Sequence, residues 1–231
     1  MKKILPAILL FFLCNGCEEV HQIVLTEDEE VIVEFFNDVT LGFDYFEGSA
    51  VTRRWESPIS IYVYGQPSND LMLEFTQIIS ELELFTFGRL DISIVDSESQ
   101  ANFELYFMGA EEYGLEYSQL VPFLDENFGF FALDWNSENQ INFATMYVDI
   151  ERATELNDQV HLLREEFTQA LGLGRSSDLH ATSIFSTTGN AQSYSELDRE
   201  IIRLLYHAEM SVGLNSSQTT EVLTDILFEE R

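Results

Sequence analysis

The chain of 231 residues is 45% hydrophobic and 13% aromatic, enough to bury one core, which argues against disorder. Its formal net charge of −30 repels phosphate backbones, so we expect no nucleic-acid partner. Both cysteines (Cys14 and Cys17) and both lysines (Lys2 and Lys3) lie at the start. The rest of the chain therefore offers no disulfide, thiol nucleophile, cysteine metal site or lysine Schiff base.

Residues 1–16 are predicted to be a signal peptide, with a basic start, an apolar run and small polar residues before Cys17. The ending "LCNGC" resembles a bacterial lipobox, and this resemblance implies that Cys17 is lipidated after cleavage. The alternatives are ordinary cleavage nearby and an uncleaved anchor. We therefore expect an extracytoplasmic protein of the bacterial cell envelope, at the outer membrane or in the periplasm, that contacts the membrane through a lipid anchor.

Residues 17–45 are predicted to be an acidic tether followed by a first helix. Thr26, with acidic residues in the next turn, is a plausible helix cap. Apolar residues then recur at helical spacing, at Val31, Val33, Phe35, Phe36 and Val39.

Residues 46–231 are predicted to be one domain. It begins with a strand that ends at Gly65, followed by a long helix capped by Asn69 or Asp70. Extended runs then follow at residues 90–95, 101–108, 130–135 and 141–150. This order predicts an α+β fold, with a mixed, mostly antiparallel sheet carrying the long helix and a mainly helical C-terminal part.

A further helix is predicted within residues 153–174, with Asn157 or Asp158 near its start. Gly172 and Gly174 are expected to close it in left-handed conformations. Its buried stripe is predicted to contain Val160, Leu163, Phe167, Ala170 and Leu171. Glu165 and Gln169 are four residues apart and therefore share one face of the helix.

The stretch "REEFTQALGLGR" at residues 164–175 resembles the HExxHxxGxxH motif of metzincin zinc peptidases, in its matrixin-like form. The likeness continues through "SIF" at 183–185 and "YSELDREIIRLLY" at 194–206, and it implies a zincin-like fold. The chain is also identified as a member of a bacterial extracytoplasmic family of unknown function that carries an EExxQALGL signature.

The resemblance places Glu165, Gln169 and Arg175 where the peptidases have their three zinc-binding histidines. It places Glu166 at the general base and Phe185 at the methionine of the Met-turn. A carboxylate, an amide and a guanidinium are a poor donor set for zinc, so we predict no metal cofactor. We hypothesise instead that the charge of Arg175 replaces the ion and pairs with Glu165 or Glu166, while Gln169 satisfies a remaining donor.

Another metal hypothesis uses histidine, because His161, Glu165, Gln169 and His180 could converge on one ion. For function, two classes stay open. The first is a non-peptidase binding or scaffolding protein whose cleft takes an extended peptide or an envelope polymer. The second is a peptidase or glycan-directed hydrolase with a non-zinc mechanism centred on Glu166. Neighbouring helical residues point about 100° apart, so Glu165 and Glu166 would not naturally flank one glycosidic bond.

Overall fold

A computed structural model describes residues 24–45 and 48–231. The predicted signal peptide and Cys17 lie outside these residues. The helices are α1 (Glu27–Thr40), α2 (Asn69–Phe85), α3 (Ala110–Glu116), α4 (Val121–Leu124), α5 (Leu156–Gln169), α6 (Glu196–Leu205) and α7 (Ser216–Glu229). The strands are β1 (Arg54–Trp55), β2 (Ile59–Gly65), β3 (Ile92–Ile94), β4 (Phe103–Met108), β5 (Gly129–Trp135) and β6 (Gln140–Asp149). Across the described part of the chain, no helix is both long and apolar enough to cross a membrane.

The predicted α+β class is confirmed, but the expectation of a mostly antiparallel sheet is wrong. The strand order is β1-β6-β4-β2-β3, and every pair along it is parallel. Only β5 runs antiparallel, and it pairs with β6. The reason is that β3 and β4 both pair with β2, on its two sides, instead of forming a hairpin with each other. Each connection therefore returns the chain to the same end of the sheet.

The main core lies between the sheet and the helices α2 and α5. Phe167 of α5 meets Phe75 of α2 and Phe103 of β4 edge to face, at centroid distances of 5.1 and 5.3 Å. The first helix, in the predicted tether segment, joins the same core, because Phe35 and Phe36 are fully buried in it. A smaller aromatic cluster under α3 and α4 covers the opposite face of the sheet.

Local signals at the helix ends are partly confirmed. Thr26 caps α1 in a capping box with Glu29, and β2 ends at Gly65, both as predicted. The cap of α2 is Ser68, whose hydroxyl accepts from the Leu71 backbone N–H, so the prediction of Asn69 or Asp70 was wrong. Both predicted residues lie inside the first turn, one position or two beyond the true cap.

Candidate functional site

A cleft of about 630 Å³ lies beside α5, at the start of β5. The segment Phe43–Tyr45 and the loop around Ser186–Asn190 form its other sides. Helix α5 contributes five polar side chains, namely Asp158, His161, Glu165, Glu166 and Gln169. The predicted apolar stripe of α5 is confirmed, since all five of its residues are buried. The amphipathic pattern therefore directs the polar motif residues into the cleft.

His161 and Glu165 form a pair one helical turn apart. The His161 Nε2 atom lies 3.3 Å from Glu165 Oε2, and the side chains are only 12% and 15% exposed. His161 Nδ1 lies 3.0 Å from the Ala191 carbonyl oxygen, which can only accept, so Nδ1 carries hydrogen. The contact between Nε2 and Glu165 is an ion pair only when the imidazole carries a proton at both nitrogens. Burial, followed by the charge of Asp44, raises the pKa of Glu165.

Glu166 packs directly on β5. A Cβ atom added at Gly129 would lie 2.7 Å from Glu166 Cγ, so the missing side chain at Gly129 makes room for the glutamate. Its carboxyl group receives no hydrogen bond from any residue that the structure describes. Burial raises the pKa of Glu166 well above its ordinary value, and the charges of Glu165 and Asp44 raise it further. The surroundings of Glu166 at the wall of the cleft therefore favour its neutral form over the carboxylate.

Arg175 does not contact either glutamate, so the hypothesis that it pairs with Glu165 or Glu166 is wrong. Its guanidinium lies 3.6 Å from Asp38 Oδ1 and 3.7 Å from Asp44 Oδ1. The left-handed Gly172, with φ +115°, turns the chain back towards α1, where the Arg175 N–H donates to the Val39 carbonyl. Gly174, in contrast, has no positive φ, contrary to prediction.

The three positions that the resemblance equates with the zinc-binding histidines each have a different partner in this structure. Gln169 donates to Ser176 Oγ at 3.4 Å, and Glu165 faces His161. The guanidinium of Arg175 contacts Asp38 of α1. His180 packs its ring on Phe35, at a centroid distance of 4.7 Å, and does not line the cleft. The alternative set with His161 and His180 does not converge. Among the described residues, no three His, Cys, Asp or Glu side chains are placed to hold a metal ion.

Phe185 does not line the cleft. It is fully buried in the core, where its ring meets Phe35 edge to face at a centroid distance of 6.3 Å. The turn that carries it is held by Asp198, a fully buried carboxylate in the first turn of α6. Asp198 accepts from Ser183 Oγ at 2.5 Å and from the Ile184 N–H at 3.2 Å. Asp198 therefore joins the start of α6 to the turn that lies 14 and 15 residues before it.

Substitution of Asp198 by alanine is expected to destabilise the fold by roughly 2–4 kcal/mol, because buried donors lose a charged acceptor. Glu196, in the same turn but exposed, is the matched control, and Glu196→Ala should cost under about 1 kcal/mol. Urea unfolding of both variants measures the difference. Equal losses would show that the turn does not depend on Asp198.

Two residues of the cleft were missed by the sequence analysis. Asp44 follows α1 without any spacing that relates it to the motif, yet its charge acts on both glutamates. Gly129 lies in an aromatic stretch whose glycines could equally have marked turns. Asp44 reaches the cleft through its contact with Ser176 in the loop after α5, and Gly129 reaches it because β5 packs on α5.

The fold and the site together define an α+β protein with an acidic cleft between a helix and an edge strand. The chain belongs to the family described as "Protein of unknown function (DUF2927)", which matches residues 29–225. No curated protein matches the chain. Two solved structures of myroilysin are similar at 14% and 13% identity, with TM-scores of 0.43 and 0.39. They cover 66% and 73% of this chain and 95% and 94% of their own chains. At these TM-scores the likeness does not establish a shared fold.

Proposed function

We propose that this protein is a non-peptidase binding protein, with a fold that resembles a zincin, whose cleft takes an extended peptide. The observation that carries this proposal is the edge of β5. Among the described residues, β5 pairs only with β6, so one row of its backbone groups stays outside the sheet. A strand edge beside a cleft suits a peptide that adds as a further strand.

The charges in the cleft favour a basic peptide. Five acidic residues line it, namely Asp44, Glu126, Asp158, Glu165 and Glu166. Among the described residues, Arg152 is the one arginine that lines the cleft, and it already contacts Asp149 at 2.6 Å and the carbonyls of Leu124 and Asp125. Asp44 lies near Arg175, and Glu165 faces His161. Within the described part of the chain, Glu126 and Asp158 are therefore the acids that offer a lysine or arginine side chain an acceptor without a nearby cation.

A fluorescent octapeptide of alternating lysine and threonine tests this proposal, with the same peptide carrying glutamate as the comparison. We expect the lysine peptide to bind and the glutamate peptide not to. The exposed cleft pair Glu126→Gln/Asp158→Asn should weaken binding about 3- to 10-fold. The matched control Glu138→Gln/Asp96→Asn removes the same charges from exposed positions outside this cleft and should leave the affinity unchanged. Equal binding of both peptides, or of neither, would contradict the proposal.

A hydrolase is the second candidate, and the carboxyls of the cleft favour it. Buried acids with raised pKa values in a cleft are typical of acid–base sites, and Glu165 and Glu166 are two such groups. Mass spectrometry of peptides and glycans after prolonged incubation tests this candidate. Cleavage by the wild type that Glu166→Gln abolishes would support a hydrolase and overturn the binding role.

We also propose that the protein is tethered to the bacterial envelope through lipid on Cys17. The lipobox-like ending of the predicted signal supports this proposal. Metabolic labelling with an alkyne fatty acid should mark the wild type and not Cys17→Ala, which should remain at the size of the unprocessed chain. Labelling that persists in Cys17→Ala would refute the assignment.

A further inference from the structure

The chain places a segment of its own across the edge of β5. We call this segment, Phe43–Tyr45, the strap. It follows Gly42, whose φ is +115°. Phe43 meets Phe131, which belongs to the core on the α5 face of the sheet. Tyr45 meets Phe130, which belongs to the aromatic cluster on the opposite face. Its two ends touch opposite faces of one strand, which places the strap beside the edge of β5 that has no neighbouring strand among the described residues.

The strap is anchored firmly at its first residue. Phe43 stacks on Trp135 with ring centroids 5.5 Å apart. The Arg53 guanidinium lies over the same Trp135 ring, 4.4 Å from its centroid. A Cβ atom added at Gly174 would lie 2.2 Å from the Phe43 ring, so this glycine provides the space for Phe43. The anchor thus uses the glycine that was predicted, wrongly, to be left-handed.

The rest of the strap is held by contacts that a ligand could replace. Asp44 accepts from the Ser176 N–H at 2.8 Å and lies 3.7 Å from Arg175 Nε, with both charged side chains about one third exposed. Tyr45 donates to Asn127 Oδ1 at 3.1 Å but remains 47% exposed. Exposed ion pairs and single hydrogen bonds each contribute only about 1 kcal/mol or less. The ring contacts of Tyr45 with Phe123 and Phe130, at centroid distances of 5.9 and 5.3 Å, add about 0.5–1.5 kcal/mol each. Release of residues 44 and 45 is therefore within the free energy that a bound peptide supplies.

We propose that the strap is an intramolecular occupant of the cleft, and that an extended ligand reaches the edge of β5 only when Asp44 and Tyr45 swing away from it. This inference rests on the proposed peptide-binding function and adds its regulation. Because the strap is part of the chain, it competes at high effective concentration with any free peptide. The resting protein should therefore bind peptide weakly, and a protein with a loosened strap should bind it more tightly.

A reversible lock tests the strap within one protein. The variant is the full chain with Asp44 and Ser176 changed to cysteine and with Cys14 and Cys17 changed to serine. Asp44 and Ser176 are already joined by a hydrogen bond, so a disulfide between the new cysteines would hold the strap in place. Mass spectrometry confirms the disulfide. The lysine–threonine octapeptide should bind at least 10-fold more weakly to the oxidised than to the reduced form. Equal affinity in the two forms would overturn the strap.

A second variant, Tyr45→Ala, tests the strap without a disulfide. Tyr45→Ala removes the outer contacts and should tighten peptide binding several-fold, whereas the exposed aromatic control Phe87→Ala should not. Hydrogen exchange without peptide separates the two proposals. Faster exchange of the β5 amides near Phe130 in Tyr45→Ala, with no peptide binding in any form, would keep the strap and refute the binding function. Unchanged exchange together with unchanged affinity would refute the strap.

Discussion

Replacement of Gly172 by alanine is expected to destabilise the protein by at least about 3 kcal/mol, or to prevent folding. The residue has φ +115°, where an L side chain is strained. The added Cβ atom would also lie 2.0 Å from the carbonyl oxygen of Arg53, which is backbone and cannot rotate away. Relief would require the end of α5 to move away from the start of β1, and the motif helix would shift with it.

Gly88 is the matched control for this substitution. It also has a positive φ, +72°, but an added Cβ atom there meets nothing within 4 Å. Gly88→Ala should therefore cost only the backbone strain, about 1 kcal/mol. Urea denaturation of both variants measures the difference. Similar losses would mean that conformation alone, and not the close approach of Arg53, makes glycine necessary at position 172.

The Glu166→Gln variant is expected to be more stable than the wild type at pH 8 and equally stable near pH 4.5. In the folded protein, burial and the charges of Glu165 and Asp44 raise the pKa of Glu166 above its ordinary value of 4.5. Above pH 4.5, the unfolded chain therefore releases protons that the folded chain retains. Wild-type stability falls as the pH rises towards the raised folded value, and a neutral amide avoids this loss.

The expected gain at pH 8 is on the order of 1 kcal/mol, which raises Tm by about 2–4 °C for a chain of this size. The carboxyl accepts no hydrogen bond from the described residues, so the substitution breaks none there. Exposed Glu111→Gln is the control and should change Tm by the same small amount at both pH values. A Glu166→Gln variant less stable than the wild type at pH 8 would show that the ionised carboxylate is favoured in the fold.

This expected stabilisation bears on the function of the cleft. Burial beside a second glutamate raises the pKa of Glu166 and disfavours its charged form at neutral pH, and such perturbed groups are typical of sites that serve binding or catalysis. A basic ligand would reverse this effect, because a nearby positive charge favours the ionised carboxyls. Peptide binding should then release protons, in line with the proposed preference for lysine.

The local features of this protein could be predicted from its sequence alone. The cap of α1 at Thr26, the buried stripe of α5 and the left-handed Gly172 were all predicted correctly. Each depends on residues within about one or two helical turns, so the information lies in a short stretch of chain. The shared face of Glu165 and Gln169 follows from helical spacing in the same way, and both residues line the cleft.

The tertiary structure decided the direction of the sheet, the partners of Arg175 and the place of Asp44. Arg175 bonds to Asp38, 137 residues earlier, and not to the carboxyls ten and nine residues before it. Strand patterns cannot specify that β2 pairs in parallel with both β3 and β4. These outcomes depend on how distant segments pack, whereas periodicity and capping depend only on near neighbours in the chain.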